Sequence, residues 1–164
     1  MSNKLQEVVK KQQQQQNPEV DTSEDVLQLV GFVVGDEEFA IPILTIQEII
    51  KPIEHTRVPR TPPYVLGVFN LRGSVIPLID LRIKFGVPAT KQNEDMRYIV
   101  LKDGDETAGF VIDRLNQALR IDKNKIDPAP DATTQEKSLI EGVGKQDDRI
   151  ITILRVSKLL ERDF

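Results

Sequence analysis

Cysteine and tryptophan are absent from the 164 residues, and histidine occurs once. Without cysteine there is no disulfide, no thiolate zinc site and no cysteine nucleophile, a composition that fits a reducing cytoplasm. His55 stands alone in a Lys/Pro/Arg stretch and reads as a surface residue, so His/Cys metal centres and histidine-based triads are excluded. Phosphate-cradling glycine loops are missing too: neither GxxxxGK(S/T) nor GxGxxG occurs, and Gly142-Val143-Gly144 runs into a polar turn rather than a long helix. No apolar run approaches the roughly 18 residues of a membrane span, and the first residues, MSNKLQEVVKKQQQQQN, have no continuous apolar core of a signal peptide. Positive charge is not in excess either. Lys and Arg number 22 against 26 Asp and Glu, for a net charge of −4, which argues against nucleic acid and against an anionic membrane surface as partners.

What is present is aliphatic and strand-like. Residues 1–25 form a polar tail with a glutamine run at 12–16, read as a flexible or loosely docked arm; a short helix over 4–16 is the alternative. From residue 26 onward, short β-branched runs alternate with turn signals: 26–34, 38–43, 66–69, 75–79, 96–101, 107–112, 115–121, 140–143 and 150–154. The segment 44–50 suits a helical turn running into a strand. One helical turn is expected at 80–85, a stiff extended loop at 127–131, and a terminal helix at 156–162. Acidic residues cluster at Asp36-Glu37-Glu38, Glu94-Asp95, Asp103-Asp105-Glu106 and Asp147-Asp148, all at expected turns where solvated acids belong. A carboxylate-dependent hydrolase is the alternative of another class, with no nucleophile–base pair to support it. The Asp103/Asp105 spacing lacks the glutamate of a calcium loop.

The stretch 66–80, LGVFNLRGSVIPLID, reads as a hairpin whose turn spans 70–74. Gly73 can take the positive φ that a tight turn needs. Arg72 then projects from a rigid tip, where a guanidinium can read a partner's carboxylate or carbonyl; the plainer reading is a solvated turn arginine. Glu48, inside LTIQEIIKPI, must reach solvent or a partner, and the wet face of an edge strand would serve.

The two halves of the chain also match each other. Gly35-Asp36-Glu37 aligns with Gly104-Asp105-Glu106 (104 − 35 = 69), and Gly67-Val68 aligns with Gly142-Val143 (142 − 67 = 75). About five short strands per half indicate two small barrels that pack on each other, since neither half has the apolar residues for a large core.

Asn70-Leu71-Arg72-Gly73 followed by Ile76-Pro77-Leu78-Ile79-Asp80-Leu81-Arg82 resembles the central signature of the CheW family of bacterial chemotaxis coupling proteins. The resemblance runs from Leu27 to about Leu160 and includes Gly35-Asp36-Glu37-Glu38-Phe39, Ile46-Gln47-Glu48-Ile49, Thr61-Pro62, Pro128-Ala129-Pro130 and Asp148-Arg149. It implies an all-β fold: two five-stranded SH3-like β-barrels, intertwined within residues 26–164, on a shared core, with short helices and a C-terminal helix. It also implies no catalysis, no cofactor and no metal. The implied partners are the cytoplasmic signalling tips of chemoreceptors, the regulatory domain of the histidine kinase CheA, and other CheW-like proteins in membrane-associated arrays. Receptor binding would fall in the groove between barrels, on Ile46, Glu48, Gly67, Asn70 and Arg72. Kinase binding would use barrel ends including Pro128, Pro130, Asp131 and Ala132, where Ala132 replaces a frequent aromatic. A competing scaffold, or a module of a larger regulator, is the alternative within the family; the end of the chain at Phe164 argues against the larger regulator.

Overall fold

The computed structural model describes residues 25–88, 93–128 and 139–161. The expected tail helix, the kinase-facing residues Pro130, Asp131 and Ala132, and Arg162 of the terminal helix lie outside these. Eleven strands and two short helices are present among the described residues. The first half contains β1 (Val26–Val34), β2 (Glu37–Pro42), β3 (Ile46–Ile50), β4 (Val65–Leu71), β5 (Ser74–Asp80) and α1 (Leu81–Phe85). The second contains β6 (Arg97–Asp103), β7 (Glu106–Ile112), β8 (Arg114–Asp122), β9 (Ile126–Pro128), β10 (Ile140–Gln146), β11 (Arg149–Leu154) and α2 (Val156–Leu159). A 3-10 turn at Ile43–Thr45 leads into β3, as the 44–50 pattern suggested.

The strands form two sheets, ordered β8-β1-β2-β11-β10-β9 and β3-β6-β7-β5-β4. Each sheet therefore takes strands from both halves. One sheet has six strands rather than the expected five, because Ile126–Pro128, which overlaps the loop expected at 127–131, pairs with β10. Proline is tolerated there at the end of an edge strand, and Gly142 opposite leaves room: a Cβ on it would fall 2.8 Å from the Asp127 carbonyl oxygen. The first and last strands of that sheet, β8 and β9, are separated by only three residues of chain, Lys123–Lys125. The four Cα–Cα steps from Asp122 to Ile126 span at most about 14 Å, so the sheet must curl enough to bring its two edge strands near each other. The five-stranded sheet curls likewise. Beyond β3 the chain returns to β4, where Thr56 and Val68 exchange two backbone hydrogen bonds of 2.8 Å each.

The duplication is written into the register. Gly67 pairs with Leu78 and Gly142 with Ile153, each just after a register shift, and both residues differ by 75. The parallel pairs Leu78–Gly109 and Ile153–Ala40 join the halves at matching places.

Curling explains the unbroken apolar runs. A strand whose two faces are both buried need not alternate. On β6, Ile99 and Leu101 enter the large core between the sheets with Phe32, Phe39, Ile41, Phe110 and Leu154. Their neighbours Tyr98 and Val100 point instead into the five-stranded sheet's own interior, beside Phe69, Leu78 and Val111. Leu29, Leu119, Ile121, Ile151 and Ile153 fill the six-stranded sheet in the same way.

Candidate functional site

The hairpin at 66–80 is tighter than its sequence suggested. Leu71 pairs with Ser74, so the turn consists of Arg72 and Gly73 alone rather than 70–74. Both have positive φ, 51° and 87°. Two such residues give the type I′ turn whose twist matches that of the flanking strands. Gly73 accepts this freely, whereas Arg72 holds a conformation that its Cβ resists.

This geometry aims Arg72 across the end of the sheet at Glu48 on edge strand β3. Nη2 donates to Oε1 at 2.8 Å and Nε to Oε2 at 3.1 Å, a two-pronged pair. The Arg72 side chain is 76% exposed and that of Glu48 21%. The hydrogen bond from Arg72, with its charge, holds the Glu48 carboxyl below the ordinary glutamate range, against the opposing effect of desolvation. The same bond raises Arg72. The carboxylate that Arg72 reads is thus on its own chain, and the pair joins the β4–β5 turn to strand β3 of the same sheet.

Of the other sequence-predicted site residues, Asn70 is exposed and its Oδ1 accepts from the Gly73 N–H at 3.0 Å. Ile46, two residues before Glu48, is partly buried against the large core. Gly67 is buried, and a Cβ on it would collide with the Thr56 carbonyl oxygen, so its place is to let the returning chain close the sheet. Pro128 is exposed on β9, in the other sheet from Arg72.

A second polar constellation involves a residue that sequence reasoning passed over. Asp80 caps α1 by accepting from the Arg82 amide at 2.9 Å, and its two oxygens take Nε and Nη2 of Arg82 at 3.1 and 3.0 Å. Asp113 stands on the far side of Arg82 and also accepts from the Gly35 amide. All three side chains are buried. Asp80 and Arg82 were visible as part of a motif; Asp113 carries no local signal beyond an acid at the end of the apolar run TAGFVI. The arrangement binds the end of β5, α1, the β7–β8 junction and the β1–β2 turn together. Among the described residues, no group of three His, Cys, Asp or Glu side chains is placed to hold a metal ion, and no helix is long and apolar enough to cross a membrane.

Comparison with known proteins agrees with this architecture. The family model described as "CheW-like domain" matches residues 28–164. The chain is 54% identical to the chemotaxis protein CheW of Helicobacter pylori, over the full length of both. It is 36% identical to that of Klebsiella aerogenes, covering 80% of each chain. A solved structure, the scaffolding protein CheW of Thermoanaerobacter tengcongensis, superposes with a TM-score of 0.76 at 33% identity, covering 84% of this chain and 94% of that one.

Proposed function

The chain belongs to the CheW family, and from that premise we propose that it couples the cytoplasmic signalling tips of chemoreceptors to the histidine kinase CheA within membrane-associated arrays. Its family works in chemotaxis as non-catalytic coupling and scaffolding proteins, so the chain is not an enzyme and its turn carboxylates are surface charge.

The observation that carries the proposal is the Arg72–Glu48 pair at an exposed sheet end. A receptor tip is a helical hairpin with an apolar stripe. Ile46 offers it partly exposed apolar surface, while Arg72 and Glu48 supply a fixed polar rim that sets register. Asn70 ties down the turn that carries Arg72, and Gly67 lets the chain beyond β3 pair with β4 at Thr56. The kinase's regulatory domain would dock elsewhere, at the β9 end with Pro128 and residues 130–132, so that one chain holds both partners at once. Receptor state then acts on the kinase through the coupling free energy of the ternary assembly.

The test is co-sedimentation of the purified chain with a receptor signalling fragment and CheA. Both are expected in the pellet at micromolar concentrations, and retention of neither overturns the proposal.

A further inference from the structure

We infer that Asn70 is a positioning residue for Arg72 and not itself a contact, an inference that rests on the reading of the Arg72–Glu48 end as the receptor-facing site. The first residue of a type I′ turn is ordinarily Asn, Asp or Gly, because these tolerate the left-handed conformation. Here that place holds Arg72, with φ 51°. A residue held so against its own sterics persists only where its surroundings over-determine it.

Two contacts do so. Glu48 clamps the guanidinium from one side. From the other, the Asn70 side chain ties down the turn itself, its Oδ1 accepting from the Gly73 N–H at 3.0 Å. The asparagine that would ordinarily sit inside the turn thus stands two residues before its first place and holds it from outside, leaving the tip to a long cation. The two-pronged grip on Glu48 needs both the position and the direction of the Arg72 Cα–Cβ bond. A turn relaxed to another type would swing that bond away.

The second hairpin supplies the contrast. Its turn residues Asp147 and Asp148 have φ 49° and 65°, the same geometry at the matching place (147 − 72 = 75). The counterpart of Asn70 there is Lys145, whose side chain cannot accept a hydrogen bond. In that hairpin the first turn position is taken by aspartate, which tolerates the left-handed region by itself.

The experiment uses the full chain with Asn70→Ala, Arg72→Ala and the double variant. The readouts are the Glu48 carboxyl titration by NMR and affinity for a receptor signalling fragment. Asn70→Ala is expected to raise the Glu48 midpoint although both members of the pair are intact. It should weaken fragment binding roughly three- to tenfold, the worth of one hydrogen bond, and add nothing once Arg72 is alanine. An unmoved Glu48 midpoint, or an undiminished effect of Asn70→Ala in the Arg72→Ala background, overturns the inference. If Arg72→Ala leaves fragment binding unchanged, the receptor reading itself fails, while the Glu48 titration still decides the role of Asn70.

Discussion

Arg82 Nη1 faces the Asp113 carboxylate at 3.5 Å and so ties α1 to the junction of β7 and β8, 31 residues further along the chain. Because Asp113 also accepts from the Gly35 amide in the β1–β2 turn, one buried guanidinium links the end of one sheet to a turn of the other. Removing it leaves two buried carboxylates, Asp80 and Asp113, without the cation that pairs with both. Arg82→Met is therefore expected to destabilise the fold by about 3 kcal/mol, the usual cost of stranding buried charge. Urea unfolding measures this, and a loss below about 1 kcal/mol would show the cluster to be better hydrated than its burial implies.

The Arg72–Glu48 pair has a defined pH window. Its folded-state carboxyl lies below the ordinary value of 4.5. The pair's contribution is thus fully present above that value and is lost as pH falls through the depressed one. Carboxyl NMR should show Glu48 titrating low in the parent chain and higher in Arg72→Ala. A Glu48 titration that Arg72→Ala leaves in place would mean that the two groups do not pair in solution.

Gly67 and Gly73 both have positive φ, 151° and 87°, yet their alanine variants should differ sharply. At Gly73 a Cβ meets nothing within 4 Å, so only backbone strain of about 1 kcal/mol is expected. At Gly67 it meets the Thr56 carbonyl oxygen, and the sheet closure must open, for a loss of about 3 kcal/mol. Hydrogen exchange adds a local reading: the Thr56 amide should lose protection in Gly67→Ala and keep it in Gly73→Ala. Equal effects of the two would contradict the close approach.

Tyr98 is pushed above its ordinary value of 10.0, first by burial and then by the Asp80 charge. The fold thus favours the neutral phenol, and stability falls as pH rises beyond the unfolded value. In a Tyr64→Phe background, ultraviolet titration should place Tyr98 above 10.0, and Asp80→Asn should bring it down. A Tyr98 that ionises at or below that value would show an open path for water to its hydroxyl.

Much of this was legible in the chain because turns and apolar runs are local. The two Gly-Asp-Glu turns, the hairpin at 66–80 (though not the exact extent of its turn) and the helical turn at Leu81–Phe85 follow from a few adjacent residues each. The offset of 75 between Gly67 and Gly142 proved to be a repeated register as well as a repeated motif. What escaped is long-range. Glu48 and Arg72 were each conspicuous, but nothing in a linear pattern joins residues 24 apart across a sheet end. Asp113 lies 31 residues from Arg82. The Thr56–Val68 closure sits in a proline-rich stretch with no period to read. The strand at Ile126–Pro128 hid behind Pro128, since a proline marks a loop as readily as an edge strand.

The interleaving of halves sets a timetable for the ribosome. The five-stranded sheet has all its strands once Ile112 has emerged. The β1–β2 hairpin is made first but belongs to the other sheet, whose last strand ends at Leu154. The earliest-made segment therefore waits longest for its neighbours. Until then its Phe32, Phe39 and Ile41 lack part of the cover they have in the finished core, and strands so exposed are where nascent chains aggregate.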